Sequence, residues 1–160
     1  MATIVISEVE DAEDHKVELG AETAASLKDC FGKAASSKKY EVKEIDSDLD
    51  PGATSWLGKE AKTYDDLVKL GHLIDEFGVP TISACLIHAS GDVTRTAELM
   101  KSTPPEGPFK DTESYVMSLR DNGTLDDELV AQYFNYQKFG RESLMSRQYS
   151  TRNGHLTVFG

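Results

Sequence analysis

Between Thr63 and Ser102, apolar residues recur three times at helical spacing, and each run is closed by a glycine or opened by a capping side chain. Thr63 with Asp66 three residues on has the form of a capping box. Leu67, Leu70, Ile74 and Phe77 then fall on one face, and Gly78 supplies the stop. Pro80-Thr81 opens a second helix carrying Ile82, Cys85, Leu86 and Ala89. Gly91 breaks it, and Asp92 caps a third with Val93, Ala97 and Met100 inward. Helices this short cannot stand alone in water, so the pattern predicts a small bundle in which each buries the others' apolar stripes.

The flanks read differently. Thr3 to Val9 alternates as a strand partly covered on both faces, Glu10 to Asp14 is an acidic turn, and His15 to Leu19 is a returning strand. Leu27, Phe31 and Ala34 recur at helical spacing within a helix over Glu22–Ala35, which Ser36-Ser37 ends. Tyr40 to Ile45 is a strand, and Pro51-Gly52 a turn. Past the bundle, Pro104, Pro105 and Pro108 make 102–110 a connector. Thr112 is expected to cap a helix through Leu119 closed by Asn122-Gly123. Asp126–Phe134 forms another, and Asn135 caps one from Tyr136 to about Met145. Gln148 to Phe159 is a hairpin turning at Asn153-Gly154. The expected fold is α+β, an elongated chain of three small units: an α/β unit over 1–50, a central helical bundle over 51–104, and a C-terminal helical unit with a β-hairpin over 105–160.

Charge narrows the function. The 160 residues hold 28 acids against 17 bases, a net charge of −11. Residues 1–50 alone hold 13 acids and 6 bases, and 101–160 are nearly balanced at 8 and 7. Such a field repels nucleic acid and attracts basic surfaces. No apolar run approaches the roughly 20 residues of a membrane span, and Met1 to Ile6 leads straight into acids without a basic, apolar leader. Cys30 and Cys85 each sit in an amphipathic pattern, as buried thiols of a reducing compartment do. The expected location is the cytoplasm.

No phosphate loop, Gly-x-Gly-x-x-Gly or Cys-x-x-Cys is present, and His15, His72, His88 and His155 lack metal-ligand spacing. Asp11, Glu13, Asp14 and His15 form a loop of the kind that faces water. The expectation is a protein that is not an enzyme and needs no metal or cofactor. What remains is a set of acids at caps and loop tips: Asp46, Asp48, Asp50, Asp65, Asp66, Asp75, Glu76, Asp92, Glu98, Asp126, Asp127 and Glu128. Some suit helix N-termini. Together they can also form an extended negative surface, and duplex DNA, with a charge about every 1.7 Å of axis, is what such a surface imitates.

The run Tyr133-Phe134-Asn135-Tyr136-Gln137-Lys138-Phe139-Gly140-Arg141-Glu142, followed by Asn153-Gly154-His155, resembles the end of the ArdA antirestriction proteins. There an aromatic stretch, a small residue and an Arg-Asp/Glu pair precede a terminal strand. Tyr40 to Ser47, Pro51-Gly52 and Thr63 through Leu73 resemble that family's strand, loop and helix. Ala89 to Leu99 lies where the family carries its acidic motif, with Thr94, Arg95 and Thr96 here in place of acids. The resemblance covers 40–159; residues 1–39 diverge. It implies an elongated, usually dimeric mimic of bent DNA, from a phage or mobile element. Such a mimic occupies the DNA-binding groove of a type I restriction–modification enzyme, with no direct nucleic-acid or membrane partner. The twelve acids are then its target-facing surface, and Arg141, Arg147 and Arg152 serve internal or dimer contacts. Three alternatives stand beside it. Residues 63–102 also resemble a ubiquitin-associated-type bundle, which makes the chain a protein-interaction adaptor and calls for an exposed apolar patch at His88-Ala89-Ser90-Gly91. The others are a small enzyme built on Tyr, Asp and His, and an accessory protein without mimicry.

Overall fold

The structure is a computed structural model that describes residues 1–123, 136–145, 147–152 and 154–160. It is an α+β fold in two compact units, Met1–Ser102 and Thr103–Gly160.

The first unit opens with β1 (Ala2–Glu8) and β2 (His15–Leu19), antiparallel with Ala2 opposite Leu19 and Ile4 opposite Val17. β3 (Lys39–Lys43) pairs with the other side of β1, Val5 opposite Lys43, and the two-residue β4 (Lys62–Thr63) closes the order β2-β1-β3-β4. Ile4, Val5, Ile6 and Ser7 are all buried, so the central strand is covered on both faces as the alternation implies.

Helix α1 (Thr23–Phe31) stops short of the expected Ala35, because Gly32 takes a left-handed φ of +74°. A 3-10 turn, Gly32–Ser37, follows. Its tighter pitch buries Ala35 where α-helical spacing would have buried Ala34, which stays exposed. The carbonyl of Ala35 then accepts the hydroxyl of the buried Tyr40 at 2.6 Å.

Pro51-Gly52, expected as a turn, instead starts α2 (Pro51–Leu57). Asp50 is its N-cap, accepting the Gly52 N–H at 2.8 Å, and Pro51 fills the first helical position, where no N–H is needed. Helix α3 (Tyr64–Phe77) has the expected capping box between Thr63 and Asp66 and ends at Gly78. Helix α4 (Val79–His88) is buried from Thr81 through Leu86, enclosed by α2, α3 and α5 (Val93–Ser102).

The expected boundary between residues 50 and 51 does not separate two bodies. Helix α3 lies against β2 and α1, and α2 against β3 and α4. Two glycines make this possible. A Cβ on Gly71 would lie 2.7 Å from the Gly20 carbonyl and closer still to Thr23 Oγ1. That hydroxyl is already fixed, accepting from the Gly20 N–H and donating to the Gly20 carbonyl, both at 2.8 Å. At Gly91, with φ +81°, a Cβ would lie 2.5 Å from the Trp56 carbonyl oxygen.

The second unit holds β5 (Glu106–Phe109), α6 (Thr112–Asp121), α7 (Tyr136–Met145), β6 (Gln148–Arg152) and β7 (His155–Phe159), with an antiparallel sheet of order β5-β7-β6. The hairpin is as expected, and β5 is a strand inside the Pro-rich connector. Asp111, not Thr112, caps α6, accepting the Ser114 N–H at 2.7 Å. Tyr115, Val116, Leu119, Leu144, Leu156 and Val158 form the core with Phe109 against it. A Cβ on Gly140 would lie 3.1 Å from Val116 Cγ2 and nearer still to the Thr112 methyl, so α6 and α7 meet at that small residue. The expected helix over 126–134, the Asn135 cap and Asn153 lie outside the described residues. No described helix is long and apolar enough to cross a membrane.

Gly71→Ala places a methyl where no space exists, and it should lower the stability of the first unit by about 1–3 kcal/mol, read as a lower midpoint in urea unfolding. An unchanged midpoint contradicts the α3 contact.

Candidate functional site

The first unit carries 20 acids against 11 bases. Its side-chain ion pairs include Glu8–Lys38, Glu41–Lys43 and Asp46–Lys16. Twelve of the 20 acids lie in three places.

The β1–β2 connection holds Glu10, Asp11, Glu13 and Asp14, all exposed, with Asp11 Oδ1 accepting the Glu13 N–H at 3.2 Å. These four were not among the acids singled out as partner-facing; the charge count of residues 1–50 is the signal that marks them.

The β3–α2 connection holds Glu44, Asp46, Asp48 and Asp50. Asp46, at φ +57°, lies 3.6 Å from Lys16, with both side chains about two-thirds exposed (67% and 64%), so water screens the pair heavily. Asp48 is exposed yet also structural. Its carboxylate accepts the Thr3 N–H at 3.2 Å and its own N–H donates to the Thr3 carbonyl at 2.9 Å, which staples the loop to β1. Asp50 corrects the expected surface: at 5% exposure it is buried, and its carboxylate serves the α2 N-terminus.

Helix α3 presents Asp65, Asp75 and Glu76 to solvent, while Asp66 is half-buried and accepts the Thr63 N–H at 3.3 Å. Lys69 is exposed one turn beyond Asp65 and interrupts the stripe.

Helix α5 contributes no net charge of this kind. Asp92 caps it through the Arg95 N–H at 3.0 Å. Arg95, Glu98 and Lys101 then alternate at three-residue spacing, all exposed. The segment 89–99 is thus chiefly the α4–α5 joint. Ala89 is buried and Gly91 packs on Trp56, so residues 88–91 do not make the exposed apolar patch that an adaptor of the ubiquitin-associated type calls for. Asp126, Asp127 and Glu128 lie outside the described residues. Of the three arginines, Arg147 is held internally, donating to the Tyr115 hydroxyl at 3.1 Å and pairing with Glu106 at 3.1 Å. Arg141 and Arg152 are exposed.

Among the described residues, displaced pKa values trace to burial and to local neighbours. Burial pushes the Cys85 thiol up to about 12, and its hydrogen points at Met100 Sδ at 3.6 Å. Burial, then the nearby Asp29 carboxylate, raises Cys30. Burial, then Arg95, lowers His88. Among the described residues no group of three His, Cys, Asp or Glu side chains has the geometry to hold a metal ion. A hollow of about 610 Å³ along α6, between Lys110 and Asn122, is open to solvent.

Comparison with protein-family models, with curated proteins and with solved structures finds no match.

Two outcomes follow. Asp50→Ala should cost about 1 kcal/mol through the lost cap, whereas Asp75→Asn stays within about 0.5 kcal/mol; thermal unfolding compares them, and equal losses contradict the assignment. With a thiol reagent at pH 8, Cys30 should react slowly and Cys85 only after denaturation, because thiolate is the reactive form and both thiols hold their protons above the ordinary range. The Cys30 rate should climb as pH rises toward 10. Fast reaction of two thiols in the folded chain contradicts the burial.

Proposed function

We infer that this chain is a non-catalytic binding protein whose exposed carboxylates receive the basic DNA-binding surface of another protein. The target class is a type I restriction–modification enzyme and the action antirestriction by DNA mimicry, in a cytoplasmic setting. The observation that carries the reading is the asymmetry of the first unit: 20 acids against 11 bases, with the Glu10–Asp14 connection, the Glu44–Asp48 connection and the outer face of α3 all exposed. The ArdA-like order of motifs over 40–159 supports the specific target. A homodimer, which that family usually forms, belongs to the same reading.

The mechanism needs no bond making. Carboxylates stand in for phosphates against lysines and arginines of the target, and association releases the small ions that both surfaces held. Magnitudes decide which acids matter. From Asp65 to Glu76 the helix rises about 16 Å, a length over which duplex DNA carries about nine charges. Helix α3 offers Asp65, Asp66, Asp75 and Glu76, diluted by Lys69. Alone it is too sparse, so the two acidic connections must share the contact.

The test is displacement of DNA from a purified type I enzyme. Excess chain should release DNA at about 50 mM salt and progressively less at several hundred millimolar, since exposed charges are then screened. Asp65→Asn, Asp75→Asn and Glu76→Gln combined should weaken inhibition about tenfold while the melting temperature holds, because none of the three is buried. Full DNA retention at low salt overturns the reading.

A further inference from the structure

The first unit keeps one large aromatic at its surface. Trp56, the chain's single tryptophan, is 38% exposed on α2, whereas Ala53, Thr54 and Leu57 of the same helix are buried. One turn on, the Lys59 ammonium lies 5.4 Å from the centre of its ring, so one face of the indole already accepts a cation.

Ser55 and Lys59, which flank Trp56 along the chain, form one wall of an open groove of about 450 Å³ between β3 and α2, whose other wall is Glu41, Lys43 and Glu44. A Cβ on Gly58 would lie 2.8 Å from the Val42 carbonyl, so strand and helix backbones meet at its floor. Next to Glu44, Ile45 is 69% exposed. The Trp56 carbonyl abuts Gly91, which brings the start of α5 and Asp92 alongside. The charged residues on these elements are Glu41, Glu44, Glu60 and Asp92 against Lys39, Lys43, Lys59 and Arg95, and Lys43 is engaged by Glu41 at 3.2 Å.

We propose that Trp56 is an arginine-docking anchor: a guanidinium on the basic partner replaces Lys59 over the indole, with Glu44 and Glu60 as its counter-charges. The acidic excess of the first unit as a whole, 20 acids against 11 bases, draws a cation, and the ring selects which one. A guanidinium is planar and weakly hydrated, so it stacks on an aromatic face better than an ammonium does. Exposed tryptophan is also the residue type most able to concentrate binding energy at a surface. This inference rests on the acidic-surface reading and adds something that the reading lacks. Carboxylates alone also favour arginine, through paired hydrogen bonds, but that share survives loss of the ring, whereas the share that an indole anchor adds disappears with it.

The experiment titrates the full chain into fluorescein-labelled nona-arginine and nona-lysine peptides at low salt, following anisotropy. Nona-arginine should bind about 3- to 30-fold more tightly, and its binding should change the emission of the single tryptophan. Trp56→Ala should cut the preference for nona-arginine over nona-lysine about threefold or more. Trp56→Phe keeps part of the preference, and Lys59→Gln, which frees the ring, strengthens nona-arginine binding. If Trp56→Ala leaves the preference intact, or Lys59→Gln weakens arginine binding, the anchor is overturned while the acidic surface stands. If neither peptide binds, the acidic surface itself has failed and the anchor with it.

Discussion

Helix α3 can lie flat on the sheet only where it lacks a side chain. At Gly71 its backbone meets the Gly20–Thr23 turn, whose threonine hydroxyl is spent on both polar groups of Gly20 and cannot move aside. That contact fastens the helical half of the first unit to its strands, and Gly91 against Trp56 does the same for the α4–α5 joint. Because of these two approaches, acids far apart in sequence, from Glu10 to Glu76, ride on one compact body and can act as one charged surface.

The carboxylates divide by job. Asp50, Asp66 and Asp92 saturate helix N-termini, and Asp48 ties a loop to β1. Each satisfies backbone donors that would otherwise cost about 1 kcal/mol or more. Apart from Asp11, which accepts the Glu13 N–H, the acids of the β1–β2 connection, Glu44 and the outer α3 residues tie no elements together, and their mutual repulsion works mildly against the fold. Approach of a basic surface removes that repulsion without disturbing any cap. A site of this kind needs neither a pocket nor a displaced pKa. The strongly displaced group, Cys85, is a core thiol packed on Met100.

Much of the fold was legible where a local rule governs it. The capping box at Thr63, the stops at Gly78 and Gly91, and the strands on either side of the acidic turn follow from residue chemistry within a few positions. Other features were hidden because one dipeptide serves two roles. Pro51-Gly52 reads as a turn, yet after Asp50 the proline is the first residue of a helix. Ala34 gave way to Ala35 because a single positive φ at Gly32 changed the helical pitch. The fusion of the first two expected units was illegible because its determinants are missing side chains, and the space at Gly71 is visible only in three dimensions. Charge counting located the acid-rich part of the chain but could not tell a cap from a free carboxylate. Asp50 looked like its neighbours and proved buried.

The central claim is that the exposed carboxylates of the first unit are themselves the binding surface. Carbodiimide-coupled labelling of carboxyl groups, read residue by residue by mass spectrometry with and without a type I restriction–modification enzyme, addresses it directly. The account predicts that Glu10 to Asp14, Glu44, Asp65, Asp75 and Glu76 label readily in the free chain and are shielded in the complex, with Asp50 protected in both. Equal labelling of those acids with and without the enzyme, under conditions where a complex forms, would contradict it.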